Sequence, residues 1–276
     1  MASTLEGRRE IALDTLRRTQ DVISFTPGAS DRSFFINDQL PSLDSTKCPH
    51  LQSTKVHVVG TDSYTAAREI LRGFPEAIGK TAVLNLASDE KRAGGWMESF
   101  TRTQEEALCY SSTLYATLKE DYYPWPNLGP GSIAGIFSPD IVVFKNDLDH
   151  NCVDLPLEEQ RLVSVISVAA PRNPALTKDG TSLANERDLD DFRGKIRLVY
   201  RMAGTWGKQA IVLAAMGCGV YGCPPRQVAN EMKSILLEDE FKGWFRSIVF
   251  AVYKSPDRAT SPNYDIFKEV FEDLQV

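Results

Sequence analysis

The sequence contains no long hydrophobic run. No apolar stretch approaches the roughly 18 residues that a membrane-spanning helix requires. The first ten residues, MASTLEGRRE, are polar and contain no apolar core of a signal peptide. We therefore expect a protein that does not contact the membrane and that works inside the cell, in the cytoplasm or the nucleus.

An excess of positive charge is also missing. Lysine and arginine number 31 against 37 aspartate and glutamate residues, which gives a net charge of −6. The overall field of such a protein does not attract a nucleic-acid backbone, although a local basic patch stays possible.

A paired cysteine framework is missing as well. The cysteines are odd in number and far apart, which is typical of reduced thiols in an intracellular compartment; they are Cys48, Cys109, Cys152, Cys218 and Cys223. Two of them lie near His50 and His150, but the spacing does not match a zinc site. The sequence therefore predicts no metal.

The composition that remains is that of an ordinary globular protein. Hydrophobic residues make up 42% and charged residues 25% of the 276 residues, enough to bury a substantial core. No internal repeat and no low-complexity linker interrupts the chain. We predict one structural domain, in which an N-terminal helix and irregular extension, residues 1–55, packs on a core of residues 56–276.

Strands and helices alternate along most of the chain. Apolar runs predict strands at residues 56–59, 82–86, 133–137, 141–144, 162–170, 210–216 and 248–253. Helical spacing predicts helices at residues 7–24, 61–72, 104–120, 187–203 and 227–237, and a C-terminal helix capped by Asn263. Several strands are apolar throughout, as strands buried on both faces are. The pattern predicts an α/β fold with a mixed, largely parallel, helix-covered sheet.

A glycine-rich segment follows the predicted strand at 210–216. Gly217, Gly219 and Gly222 precede a helix, a position where backbone N–H groups can bind phosphate. The same glycines satisfy G-x-G-x-x-G, so a nucleotide-dependent oxidoreductase is one alternative and a purely structural turn is another. No strand ending in an acidic residue follows about twenty positions later, and Pro224-Pro225 intervenes, which argues against the oxidoreductase.

A second informative segment runs from the strand at 82–86 to Glu106. It contains a glycine pair, Gly94-Gly95, and then Thr103-Gln104-Glu105-Glu106 at the start of a predicted helix. Thr-x-x-Glu is also a capping box, in which the Thr103 hydroxyl would accept from the Glu106 N–H. Cap and catalytic site are therefore both open interpretations of these four residues.

These segments together resemble a known family. Val83-Leu84-Asn85-Leu86-Ala87, the Gln-Glu-Glu segment, residues 138–144, residues 165–171 and residues 217–222 occur in the order found in the poly(ADP-ribose) glycohydrolase branch of the macrodomain fold. The chain is most similar to the microbial-type group of that branch. The resemblance implies a three-layer α/β/α macrodomain with an N-terminal helical extension, and ADP-ribose in a cleft at the strand ends.

The resemblance also implies roles for individual residues. Glu106 would be the acid–base catalyst, and Glu105, also placed in the catalytic pair, would bind ribose hydroxyls. An aromatic near the last strand, Phe250 or Tyr253, would stack on adenine. The other implied ADP-ribose contacts are Asn85, Ser88, Asp89, Gly94, Gly95, Gln104, Gly217, Cys218, Gly219, Val220, Tyr221 and Gly222.

Two positions depart from the family pattern. Ser88 stands where the family has an asparagine, and Ala93 stands where it has the first of three glycines. A methyl group at a close backbone approach can exclude a phosphate oxygen. The function implied is an ADP-ribosyl glycohydrolase, and the alternative is an ADP-ribose-binding reader with little or no hydrolase activity.

The implied reaction needs no cofactor, and its partner is ADP-ribose or an ADP-ribosylated protein or nucleic acid. A polymer-cleaving enzyme and one that acts on mono-linked ADP-ribose are both compatible with the sequence. We expect a monomer.

Overall fold

The computed structural model describes residues 2–255 and 260–276, and these form a seven-stranded sheet flanked by helices. The strand order is β1-β4-β5-β3-β6-β7-β2. The strands are β1 (Phe34–Ile36), β2 (Val56–Val59), β3 (Thr81–Leu86), β4 (Gly135–Val143), β5 (Arg161–Val168), β6 (Ala210–Leu213) and β7 (Ser247–Ala251).

Five neighbouring strands of this sheet are parallel. β5, β3, β6, β7 and β2 pair in parallel, whereas β4 pairs antiparallel with β5, and β1 with β4. The carboxyl ends of the parallel strands therefore meet at one edge of the sheet, where α/β proteins bind their ligands. The predicted mixed, largely parallel sheet is confirmed.

Helices cover both faces of the sheet. They are α1 (Leu5–Phe25), α2 (Ser63–Gly73), α3 (Gln104–Ser111), α4 (Glu186–Thr205), α5 (Pro225–Leu236) and α6 (Pro262–Val270). One hydrophobic cluster packs α4, α5 and α6 on one face, and a second packs α1, α2 and α3 on the other. The fold is thus the predicted three-layer α/β/α arrangement, and none of the described helices is long and apolar enough to cross a membrane.

Alternation along β3 decides which side chains reach the site. Ala82 and Leu84 belong to the cluster with α4, α5 and α6, while Val83 belongs to the cluster with α1, α2 and α3. Since side chains alternate along a strand, Asn85 lies on the same face as Val83 and points toward α3. The polar residue of this strand is thereby buried beneath the start of that helix.

Helix α3 is shorter than predicted. It ends at Ser111 instead of near residue 120, and 3₁₀ turns follow at Leu114–Thr117 and Glu120–Tyr122. The hydroxyls of Ser111 and Ser112 donate back to the carbonyls of Ala107 and Leu108, at 3.0 and 2.8 Å. Such bonds compete with continued helix, and Ser112 then becomes extended and bridges to Val143.

Three further expectations need correction. The predicted strands at 133–137 and 141–144 are one strand, β4, whose register shifts between Ser138 and Ile141. The C-terminal helix begins at Pro262 after Ser261, so Asn263 is not its cap. Phe34 and Phe35, which belong to the extension expected to be irregular after its helix, lie in β1. The division into residues 1–55 and 56–276 stays a prediction.

Candidate active site

Two glutamates at the start of α3 form the centre of the site. Glu105 is 3% and Glu106 is 4% exposed. Thr103 is the N-cap residue of the helix, and the first turn lies against the carboxyl end of β3. Buried carboxylates need hydrogen-bond donors, and each of these has its own set.

The Glu105 carboxylate is held from β3 and the turn after it. Asn85 Nδ2 donates to Oε1 at 3.0 Å, and the Ser88 backbone N–H donates to Oε2 at 2.8 Å. Asn85 also donates to Ser167 Oγ at 2.9 Å and is fully buried. The structure therefore places Asn85 underneath Glu105, and not in the cleft where the family resemblance put it.

The surroundings of Glu105 also change its acidity. Burial raises the pKa of this carboxyl from 4.5 to about 8, because a charged group loses its hydration there. The charges of Glu106 and Asp89 contribute to this rise, and the two hydrogen bonds oppose it. Glu105 is therefore predominantly protonated at neutral pH.

Glu106 is held from the glycine pair and from the N-cap. The Gly95 N–H donates to Oε1 at 2.9 Å, and the Thr103 hydroxyl donates to Oε2. The expected capping box does not form, because the Thr103 hydroxyl does not accept a bond from the helix backbone. It orients the Glu106 carboxylate instead.

Gly94 lets the loop close over both carboxylates. A Cβ atom at Gly94 would lie 2.9 Å from Glu106 Oε1 and 3.2 Å from Glu105 Oε2, and the residue has φ +56°. Both the space and the left-handed backbone favour glycine here. Ala93 has a similar φ of +54° but is fully buried, packed in the cluster with α1, α2 and α3. Its methyl therefore faces the core, and not the cleft.

The Gln104 side chain is fully used within the protein. Its Nε2 donates to the Leu84 carbonyl at 2.7 Å and to Ser63 Oγ at 3.1 Å. Its Oε1 accepts from the Leu86 N–H at 2.9 Å. The amide thus completes the hydrogen bonds of β3 and fixes α3 on the strand, and its predicted contact with ADP-ribose stays a prediction.

The second glycine segment forms the loop between β6 and α5, which begins at Pro225. Gly217 has φ +76°, and a Cβ there would lie 2.7 Å from both Ala170 Cβ and Cys223 Sγ. Gly219 faces open space. Among the described residues, no partner accepts from the N–H groups of residues 219 to 221. Free N–H groups near a helix N-terminus suit an anion.

The side chains of this loop differ in where they point. Cys218 is half-buried, and its Sγ lies 3.6 Å from the Met216 carbonyl. Val220 is 75% exposed. The Tyr221 hydroxyl donates to Asp89 Oδ1 at 3.3 Å, and the Gly222 Cα faces Asn173, where an added Cβ would lie 3.7 Å from Oδ1. The loop thus offers backbone, more than side chains, to a ligand.

The Ser88-Asp89 turn carries out structural tasks. The Ser88 hydroxyl accepts from the N–H groups of Glu90 and Lys91 at 3.2 and 3.1 Å, which closes the turn. The Asp89 carboxylate is 2% exposed and accepts from Asn127 and Arg172. Sequence reasoning suggested that Arg172 could meet phosphate charge, with a surface salt bridge as the alternative, but it did not connect Asn127 with the site, because no local pattern indicates that residue.

Of the two aromatic candidates, only Tyr253 is accessible. Phe250 is fully buried, and its ring is stacked 4.1 Å from that of Phe271, so the suggestion that it stacks on adenine is wrong. Tyr253 is 46% exposed, and its hydroxyl donates to the Asp149 carboxylate at 2.7 and 2.9 Å. Burial, followed by the bond to Asp149 and the charge of that residue, raises the pKa of Tyr253 to about 12.

No group of three or more metal-ligating side chains occurs within residues 2–255 and 260–276. The groups of the site that face a common edge are the two glutamates, the glycine pair and the backbone N–H groups of residues 219 to 221, which have no acceptor within the described part of the chain. All of them lie at the carboxyl edge of the parallel strands. A three-layer α/β/α sheet with glycine loops at that edge has the architecture of a macrodomain.

Comparisons with known proteins place the chain more narrowly. The model for the catalytic domain of microbial-type poly(ADP-ribose) glycohydrolase (PARG) matches residues 17–146. The PARG of Thermomonospora curvata is 26% identical, with 96% of this chain and 99% of that chain covered and a TM-score of 0.75. No curated protein matches.

Two structures with bound molecules are also similar. The Deinococcus radiodurans PARG in complex with ADP-ribose is 28% identical, covers 83% of this chain and 88% of its own, and has a TM-score of 0.68. The Thermomonospora curvata PARG bound to the inhibitor ADP-HPD is 26% identical, with coverage of 96% and 99% and a TM-score of 0.72. The chain is therefore similar to the microbial-type PARGs, as its motifs predicted.

Proposed function

We propose that the protein binds ADP-ribose and hydrolyses the ribosyl glycosidic bond of ADP-ribosylated substrates. The observation that carries this proposal is the burial of Glu105 and Glu106 beneath Gly94 and Gly95, at the same sheet edge as the loop after β6. The relationship to PARGs, including one in complex with ADP-ribose, supports it.

Binding divides between the two glycine segments. The diphosphate lies on the loop of residues 217–222, whose free N–H groups and helix N-terminus favour negative charge. The ribose that carries the scissile bond lies against Gly94, Gly95 and the two glutamates. Tyr253, half-exposed after β7, is the candidate for contact with adenine.

Glu106 acts as the acid and base of the reaction. Cleavage of a ribosyl bond passes through an oxocarbenium-like state, so a carboxyl group that protonates the leaving oxygen lowers the barrier. The Gly95 N–H and the Thr103 hydroxyl fix the direction of the Glu106 carboxylate. After the leaving group departs, the same carboxylate accepts a proton from the attacking water.

Glu105 has the complementary task of binding the ribose. Its raised pKa keeps the carboxyl protonated at neutral pH, so it can donate a hydrogen bond to a ribose hydroxyl as well as accept one. The pair thereby divides binding and proton transfer between adjacent residues.

The second candidate function is an ADP-ribose reader with little or no hydrolase activity. Ser88 favours it, because the Ser88 hydroxyl is occupied within its own turn and offers no amide to the ligand. Ala93 no longer favours it, because its methyl is buried in the core.

The experiment that separates these functions is Glu106→Gln. Isothermal titration with ADP-ribose and a release assay on ADP-ribosylated protein and nucleic acid are run on wild type and variant, with exposed Glu98→Gln as the matched control. We expect all three proteins to bind and only wild type and Glu98→Gln to release ADP-ribose. Release by Glu106→Gln would remove Glu106 from the mechanism, and binding without release by wild type would establish the reader.

Several finer points stay predictions from the sequence. Polymeric and mono-linked ADP-ribose both fit the proposed reaction, and so does attachment of ADP-ribose to protein or to nucleic acid. A monomeric state and an intracellular location, cytoplasmic or nuclear, also stay predictions. Size-exclusion chromatography with light scattering tests the first of these two.

A further inference from the structure

The carboxylate of Asp89 is the meeting point of three separate loops. It is 2% exposed, and three side chains donate to it. Arg172 Nη2 lies 2.5 Å from Oδ2, while Asn127 Nδ2 lies 3.1 Å and the Tyr221 hydroxyl 3.3 Å from Oδ1. A buried charge this well supplied with donors is costly to disturb.

The three donors also connect to one another. Asn127 Oδ1 accepts from the Arg172 backbone N–H at 2.8 Å, and Asn127 Nδ2 donates to the Ala170 carbonyl at 3.0 Å. The Arg172 guanidinium lies 5.7 Å from the centre of the Tyr221 ring and also pairs with Glu90. The network therefore joins the chain after β5, the loop around Asn127 and the loop after β6.

Asp89 adjoins the residue that holds Glu105. The Ser88 N–H donates to Glu105 Oε2 at 2.8 Å, so any movement of the turn changes the position of that bond. On the other side, Tyr221 belongs to the loop whose N–H groups are free for a diphosphate. One carboxylate thus lies between the two halves of the proposed site.

We propose that Asp89 is a positioning residue that ties the loop after β6 to the turn holding Glu105, so that diphosphate binding and catalysis share one geometry. This inference rests on the proposed function, and it gives Asp89 a role other than the ligand contact expected from its position in the sequence. Asn127 and Arg172 belong to the same hydrogen-bond network around Asp89.

A double-mutant cycle tests the coupling. Asp89→Asn removes the charge, Tyr221→Phe removes one donor, and the double variant combines the two changes. The matched control is Glu240→Gln, which weakens the ion pair between Arg201 and Glu240, whose side chains are 13% and 15% exposed. ADP-ribose affinity, kcat and melting temperature are measured for each.

We expect Tyr221→Phe to weaken ADP-ribose binding about 3-fold and Asp89→Asn about 10-fold, the size of one lost hydrogen bond and one lost charge-assisted bond. The double variant should bind no more weakly than Asp89→Asn. Asp89→Asn should also lower kcat, whereas Glu240→Gln should lower the melting temperature and leave affinity and kcat unchanged. Losses that multiply in the double variant, or an equal loss of affinity in Glu240→Gln, would overturn the proposal.

A second measurement covers the case in which Asp89→Asn does not fold, and it does not depend on activity. Hydrogen exchange of residues 86–92 is compared between wild type and Tyr221→Phe without ligand. Faster exchange of the Ser88 turn would support the coupling even if the protein released no ADP-ribose. Unchanged exchange there would refute it while the proposed hydrolase function stood.

Discussion

The titration of Glu105 gives the sharpest prediction from the structure. Its pKa rises from 4.5 to about 8 on folding because the carboxyl is buried. Between these two values the unfolded chain has lost the proton and the folded protein still holds it. Stability therefore falls as the pH rises, so this contribution is fully present below pH 4.5 and lost as the pH passes 8.

The size of the effect follows from the shift. One pKa unit corresponds to about 1.4 kcal/mol, so the shift of Glu105 amounts to about 5 kcal/mol across the interval. For a domain of this size, about 1 kcal/mol changes the melting temperature by about 2 °C. The part of this shift that falls between pH 5 and pH 8.5 is about 4 kcal/mol, so Glu105 should lower the melting temperature by about 8 °C over that range.

The assay compares wild type with Glu105→Gln by urea unfolding and by thermal melting, without ligand, over that range. Glutamine has no charge at any pH, so the stability difference between the two proteins should change steadily in favour of the variant as the pH rises. Loss of the bond from the Ser88 N–H would add a constant offset only. Exposed Glu10→Gln is the control and should run parallel to wild type. Parallel curves for wild type and Glu105→Gln would refute the reasoning.

Three further predictions test the surroundings of the glutamates. Gly94→Ala should lower the unfolding free energy by about 2 to 3 kcal/mol and abolish release of ADP-ribose. Its control is Gly79→Ala, where φ is +73° and no atom lies within 4 Å of an added Cβ, and this variant should lose only about 1 kcal/mol. Equal losses of unfolding free energy in urea would contradict the close approach of Gly94 to the two glutamates. Thr103→Val should lower kcat about 10-fold and keep ADP-ribose affinity, because one donor to the acid is lost; an unchanged kcat would contradict this role. Phe250→Ala should lower the unfolding free energy by about 3 to 5 kcal/mol and leave the ADP-ribose affinity unchanged. Tyr253→Ala should weaken ADP-ribose binding in titration calorimetry and leave stability unchanged. The opposite pattern would indicate that adenine contacts Phe250.

Most strands and helices were predictable from the sequence, because the signals for them are local. Apolar runs marked β3, β5, β6 and β7, and their full burial made the parallel sheet predictable. The end of α3 was not readable. The hydroxyls of Ser111 and Ser112 bond back to the helix, and β4 receives the chain beyond it.

The positions of the site glutamates were predictable from Gly94, Gly95 and the start of α3, since glycine and helix-start signals are also local. The roles of Asn85 and Asp89 were not. Both appear in sequence as polar residues at a strand end, and both are buried in the fold. Whether a polar side chain faces solvent or the protein interior depends on the neighbouring strands and loops.

The donors to Asp89 illustrate the physical reason. Asn127 is 38 and Arg172 is 83 residues away along the chain, and only the packing of three loops at one sheet edge brings them together. The sequence by itself determined the layers and the glycine segments, which depend on periodicity and backbone preference, and the family resemblance singled out the glutamates. The tertiary structure alone decided which of the polar residues are buried and which of them hold the others in place, because only packing brings distant loops together.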